Sequence, residues 1–319
     1  MDSDSAASRL RVAARNLTLL AVFAFAAICL LRFADFDNIV LIALVAISPV
    51  ALAVSVVTAG ALTSLRWGVG GLVVVVVAAL LALPGTVVPR TGCEVRASDQ
   101  DNSVVVMSHN ILAGNAQVDS LLAQVDRVDP DILLLQETTD AQFAALGVDL
   151  ESEYPNRESL GLQHIVSRWP LSERFESGTS TGGALVATVE SPIGAIRIAN
   201  VHPSAPLSDE RRTNQRQEYT DLTRWRVEQS VDLIMGDFNA SGAHAIYRDI
   251  VSDSYEDAHR VAGCGSGLTR SRTLGTGPAI LSLDHALVHD RLQAESFVVL
   301  DYAGSDHKAV AVEVTASRR

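Results

Sequence analysis

The first 88 residues carry three long apolar stretches, and they limit the fold more than anything else in the chain. The stretches run over about 17–33, 38–61 and 68–88. Crossing the hydrocarbon core of a bilayer takes roughly 20 apolar residues, and the second and third stretches meet that length outright. Val73 to Val77 is an unbroken run of five valines without a charge nearby. It sits within Val69 to Leu83, an uncharged stretch too long for an ordinary strand, so the stretch predicts a membrane helix. Pro49 lies inside the second stretch, where a membrane helix tolerates it. Arg9, Arg11 and Arg15 give the first stretch the basic start of a signal peptide. Two further spans follow at once, so an uncleaved anchor of three helices is the simpler expectation.

Arginines orient that anchor. Arg9, Arg11, Arg15 and Arg66 lie on one side, and Arg32 alone lies on the other, beside Asp35 and Asp37. The side richer in arginine stays cytoplasmic. The expectation is therefore a multi-pass protein of the cell membrane with a cytoplasmic N-terminus, its remaining domain outside the cytoplasm and the bilayer as a partner. Cys93 and Cys264 both fall in that outer part, where an oxidising compartment permits a Cys93–Cys264 disulfide. Two unrelated thiols are the competing reading.

Residues 89–103, rich in Pro, Gly, Ser, Asp and Asn, read as a linker. Residues 104–319 then interleave two periodicities. Val104–Met107, Asp131–Leu135, Val231–Met235 and Leu283–Val288 are short apolar runs of the buried-strand kind. Gly183–Val189 and Gly194–Val201 read as neighbouring strands joined by Ser-Pro-Ile-Gly, and Ser296–Leu300 and Ala309–Val314 complete the set. Val118, Leu121, Leu122 and Val125 recur at helical spacing, Asp209–Gln229 is a charged helix, and a short helix is expected around Ala243–Ile250. Mixed strands and helices in one domain of this size predict layered α/β packing. No internal repeat is visible.

The strands run out into chemistry. Asn110 ends "VVVMSHN", Glu137 ends "DILLLQE", His202 closes "IANVH", and Asp237 and Asn239 close "LIMGDFN". Asp284 opens "DHALV", while Asp306 and His307 open the last strand in "GSDHKAV". One such strand end is ordinary and has a bland reading as a cap or a solvated turn. A whole series predicts convergence, because strands of one sheet lie side by side. Asp237 and Asn239 are two apart, so in an extended segment they share a face while Phe238 turns to the core.

This ordered set resembles the endonuclease/exonuclease/phosphatase superfamily over roughly Val104 to Thr315, with "GDFNA" and "GSDHKAV" its most specific pieces. The resemblance implies a four-layer α/β/β/α sandwich of the deoxyribonuclease I kind. It also implies hydrolysis of a phosphoester with Mg²⁺, or Mn²⁺ in its place. Carried over by position, Glu137 is the main metal carboxylate, with Asn110 beside it and Asp306 a further ligand or outer-sphere partner. Hard oxygen donors of this kind suit Mg²⁺. Asp237 orients or deprotonates water, and Asn239 holds a phosphate oxygen or that aspartate. His202 donates to a phosphoryl oxygen. His307 acts as base or as stabiliser of developing charge, with Asp284 fixing its tautomer. Which of Asp237 and His307 is the base stays open.

His285 follows Asp284 but points to the opposite strand face. His109, His164, His244, His259 and His289 fit no pattern. Arg211, Arg212 and Arg216 reach toward substrate or, more simply, line a solvated helix face. After Pro89 the chain holds 20 basic and 33 acidic residues, a net charge of −13. Such a domain disfavours a nucleic acid partner, whose phosphates are bound mainly through Lys and Arg. The leading expectation is a membrane-anchored, outward-facing phosphoesterase. A nuclease acting on extracellular nucleic acid is the alternative, and a non-catalytic scaffold retaining the fold is a third reading.

Overall fold

Val104, Val105, Val106 and Met107 are all fully buried, and so are Ile132, Leu133, Leu134 and Leu135. Consecutive burial in an extended chain means that both faces of the strand are covered. In this computed structural model, which describes residues 40–44, 102–113, 118–179, 182–251, 254–264, 266–271, 277–302 and 304–317, those segments are the central strands of one of two sheets.

The first sheet contains β1 (Val104–Asn110), β2 (Ile132–Gln136), β3 (Asn156–Leu160), β4 (Gln163–Ser167), β13 (Leu292–Tyr302) and β14 (Lys308–Ala316). Its order is β13-β14-β1-β2-β4-β3. The second contains β5 (Leu171–Thr179), β6 (Gly182–Ser191), β7 (Gly194–His202), β8 (Leu233–Asp237), β9 (Tyr255–Asp257) and β12 (Asp284–His289), in the order β5-β6-β7-β8-β12-β9. A separate two-stranded ribbon pairs β10 (Arg270–Ser271) with β11 (Ala279–Leu281). The helices are α1 (Val118–Val128), α2 (Asp140–Leu150), α3 (Asp209–Glu228), α4 (Ala245–Arg248) and α5 (Ala258–Ala262).

Alternate side chains of the central strands sort the core into layers. Val104, Val106, Ile132 and Leu134 face across to Leu185, Ile198, Leu233 and Met235, between the sheets. Val105, Met107, Leu133 and Leu135 point outward onto Leu121 and Val125 of α1 and Leu146 of α2. On the far side, Val186, Ala199 and Ile234 meet Tyr219, Leu222 and Trp225 of α3. The result is helix, sheet, sheet, helix, the expected four-layer sandwich.

Each sheet centres on one parallel pair joined by a helix: β1 and β2 across α1, and β7 and β8 across α3. Antiparallel strands flank both pairs in corresponding order. The two halves thus repeat a topology that the sequence does not display. In the second half the backbones come close, and Gly236 is what allows it. At φ +151°, a Cβ there would sit 2.1 Å from the Val201 carbonyl oxygen.

The chain divides into two compact units, Met1–Thr86 with Ala243–Ala245, and Val87–Gly242 with Ile246–Arg319. The three expected membrane spans lie outside the described residues, except that residues 40–44, inside the second, are helical. Among the described residues no helix is long and apolar enough to cross a membrane. Cys93 also lies outside the described residues, and Cys264 is disulfide-bonded.

Candidate active site

Strand direction brings the polar ends to one edge. β1 and β2 run parallel, with Asn110 opposite Gln136, so both end together. β14 runs against β1, so its start, just after His307, lies at that same end. In the second sheet β7 and β8 end together, and β12, antiparallel to β8, begins with Asp284 opposite Asp237.

The Asp237 carboxylate, 1% exposed, is where these ends meet. The Asn239 backbone N–H donates to its Oδ1 at 2.8 Å, and Asn110 Nδ2 donates to its Oδ2 at 3.0 Å. The same amide of Asn110 donates to Glu137 Oε1, also at 3.0 Å. His202 Nε2 stands 3.5 Å from Glu137 Oε1 and 3.8 Å from Asp237 Oδ2. His307 Nε2 approaches Asp237 Oδ2 from another side, at 3.6 Å, while its Nδ1 donates to Asp284 Oδ2 at 2.9 Å.

Two of these residues hold unusual backbones. Glu137 has φ 52° and Asn239 has φ 48°. Non-glycine residues adopt this left-handed region at a cost and concentrate at functional sites. The Asn239 turn also changes the picture of "GDFN" as one extended face. β8 ends at Asp237, Phe238 is fully buried, and the Asn239 side chain donates to the Pro203 carbonyl at 3.0 Å. Its hold on Asp237 comes through the backbone N–H.

The charges follow from this packing. The His202 hydrogen bond pulls the Glu137 carboxyl down to about 2 against the opposing effect of burial, with Asn110 helping. Burial opposes a charge on His202, yet the bond to Glu137 and the nearby Asp237 raise it. For His307 burial again opposes, but the charges of Asp284 and Asp237 push it up to about 9. Asp284 is held below its usual range by His307 in spite of burial. Burial raises Asp237, and His307 and His202 pull the other way. At neutral pH His307 is an imidazolium, a donor that has no room for another proton.

The donor set fits a hard divalent cation. Glu137, His202 and Asp237 offer ligand atoms within 4.8 Å of one another, as do Asp237, Asp284 and His307. Asp284 and Asp306 each bury one carboxylate oxygen, Oδ1, that has no hydrogen-bond partner among the described residues. Asp306 belongs to neither cluster, however. Its Oδ2 is taken by Arg270, from Nε at 3.2 Å and Nη2 at 2.9 Å.

Several contributors had no signal in the sequence, though Ser305 lies within "GSDHKAV". Arg270 sits in a segment without apolar pattern, and only a β-bridge sets it opposite His307. Ser305 Oγ donates to the Asn110 carbonyl at 2.7 Å and accepts from the His307 N–H at 3.1 Å. His109 is buried, which lowers it to about 4, and its neutral ring donates from Nε2 to the His307 carbonyl at 3.2 Å. Beneath them Gln136 Nε2 donates to Asn200 Oδ1 at 2.7 Å, tying the two sheets together. His285 does face away from the cluster, against Tyr247 and 3.6 Å from Asp257. Arg212 on α3 pairs with Asp209.

Comparison with known proteins agrees with this geometry. The sequence profile of the Endonuclease/Exonuclease/phosphatase family matches residues 107–307. The fold is similar to that of an endonuclease/exonuclease/phosphatase from Beutenbergia cavernae, with 18% identity, TM-score 0.56, and coverage of 68% of this chain and 72% of that one. It is similar also to sphingomyelinase C from Streptomyces griseocarneus, at 15% identity and TM-score 0.53 over 66% of this chain and 99% of that one. A family protein from Bacteroides thetaiotaomicron gives 17% identity and TM-score 0.56 over 68% and 98%. No curated protein sequence matches significantly. A profile match over most of the domain, on a sandwich whose strand ends carry this cluster, means that the chain belongs to the endonuclease/exonuclease/phosphatase family, metal-dependent hydrolases of phosphoester bonds.

Proposed function

We propose that this chain is a membrane-anchored, outward-facing, Mg²⁺-dependent phosphoesterase that splits a phosphodiester or phosphomonoester by attack of water. One observation carries the reading: two imidazoles and an amide converge on the Asp237 carboxylate at 3.0–3.8 Å, with Glu137 alongside. Glu137, with Asn110 beside it, would hold the cation. Bound there, the cation supplies charge neutralisation for the phosphoryl oxygens. Oxygen donors favour Mg²⁺ and admit Mn²⁺.

The remaining chemistry belongs to the side chains. Asp237 orients the attacking water and takes its proton, because His307 already carries one. His307 and His202 donate to the phosphoryl oxygens as negative charge grows there. Asp284 keeps the His307 ring oriented through Nδ1, with Nε2 turned to the Asp237 side where the phosphate would lie. The Asn239 backbone N–H and the Asn110 amide fix the angle of Asp237. The apolar N-terminal stretches and their arginines support the anchor, and the disulfide at Cys264 fits an oxidising compartment outside the cytoplasm.

A nuclease would use the same machinery on a polyanion. The net charge of −13 after Pro89 weighs against that substrate. The test is a Mg²⁺-dependent screen of the full chain against bis-p-nitrophenyl phosphate, a phosphomonoester, sphingomyelin and DNA. Turnover of a small or lipid phosphoester is expected to exceed that of DNA. Turnover of DNA alone establishes the nuclease reading instead, and no turnover of any phosphoester favours a non-catalytic scaffold.

A further inference from the structure

We propose that Arg270 is the side chain that grips the substrate's phosphoryl group, and that Asp306 serves to position Arg270 rather than to ligate the metal. The inference rests on the phosphoesterase reading above and assigns the anion-binding part of that same site.

The register of the β10 segment sets Arg270 against the catalytic pair. Arg270 bridges to His307, the Ser271 N–H donates to the Asp306 carbonyl at 3.0 Å, and the Lys308 N–H donates to the Thr269 carbonyl at 2.7 Å. One residue back, Thr269 Oγ1 accepts from the N–H groups of Leu283 and Asp284 at 3.1 and 3.2 Å. A single short segment therefore ties together the two places from which Asp284 and His307 project.

The guanidinium is half committed. Asp306 Oδ2 accepts from Nε and Nη2, and among the described residues Nη1 makes no hydrogen bond. The side chain is 34% exposed, against 13% for Asp306, so Arg270 is within reach of a ligand while one edge of its guanidinium is held. Arg270 lies close enough to feel the charges of both Asp237 and Asp284. A fork with one edge fixed to a carboxylate presents its other edge in a set plane, the geometry that suits phosphate oxygens.

Charge favours such a group as well. Glu137, Asp237, Asp284 and Asp306 put four carboxylates at the site, offset by His202, His307 and a bound cation, and Arg270 adds a further positive charge beside His307. Arg270 is cationic at every pH the enzyme meets. Clamping Arg270 is the role that the contacts give to Asp306, whose Oδ2 both guanidinium donors share.

The experiment uses the full chain and inorganic phosphate as probe, read by calorimetry with Mg²⁺ present. Turnover of bis-p-nitrophenyl phosphate is measured in parallel. Arg270→Ala and Asp306→Asn are each expected to weaken phosphate binding about ten-fold or more and to raise KM more than they lower kcat. The double variant should be no worse than Arg270→Ala alone, because the two act as one unit. Arg270→Lys, which keeps the charge and the stem, should recover part of the loss. The Mg²⁺ concentration for half-maximal binding should stay unchanged in Asp306→Asn. Unaltered phosphate binding in Arg270→Ala, with turnover intact in the wild type, overturns the inference alone. A Mg²⁺ requirement raised by Asp306→Asn but not by Arg270→Ala makes Asp306 a metal ligand and also overturns it. A wild type that neither binds phosphate nor turns over any phosphoester overturns the phosphoesterase reading itself.

Discussion

His307 illustrates how much one residue's surroundings decide. Burial alone would keep it neutral, but Asp284 and Asp237 push it up to about 9. Its folded value thus lies above the unfolded value of about 6.5. The stability it contributes is complete below about 6.5 and is lost as pH rises through about 9. Catalysis should follow, since the donor is the imidazolium. The pH–rate profile of the wild type is expected to fall on an alkaline limb near 9, and Asp284→Asn should move that limb to lower pH. A limb that does not move with Asp284→Asn separates it from His307. The residues forming this cluster were legible because strand ends mark themselves, by an apolar run that stops at a carboxylate, an amide or an imidazole. Arg270 and His109 were not, because each reaches the cluster through tertiary contacts with no local pattern.

The elements divide along similar lines. β1, β2, β8 and β12 are buried on both faces, and their apolar runs announce them. β3, with sequence NRESL, and β5, with LSERFESGT, do not. Both are outer strands of their sheets, where charged side chains face water and discourage pairing with other chains. They meet each other through Arg174 and Glu158, 3.1 Å apart. Between the sheets, Asn200 is the polar rivet. Its amide donates to the Leu135 and His164 carbonyls, both at 2.9 Å, and its Oδ1 accepts from Gln136. Removing it takes one hydrogen bond from each of three buried groups at the sheet interface. Asn200→Ala is expected to destabilise the domain by about 3 kcal/mol, read from urea unfolding midpoints at constant slope. A change under about 0.5 kcal/mol in that measurement would mean that the network is dispensable.

For the whole molecule, the two sheets repeat one topology and place their shared active edge where both central pairs end. The sequence hides that repeat because the halves share strand order and not residues. The proposed anchor before Pro89 makes a prediction about orientation. A phosphatase fused after Arg90 should be active when expressed in cells, as expected for a position outside the cytoplasm, and an inactive fusion would reverse the orientation. At the centre stands Asp237, buried between two imidazoles and beside Glu137. The most direct test is Mg²⁺-dependent turnover of bis-p-nitrophenyl phosphate by the full chain, with Asp237→Asn and Glu137→Gln compared to the wild type. Both variants are expected to lose about 100-fold or more in kcat while remaining folded by circular dichroism. Turnover unchanged in both would contradict the assignment of this cluster as the active site.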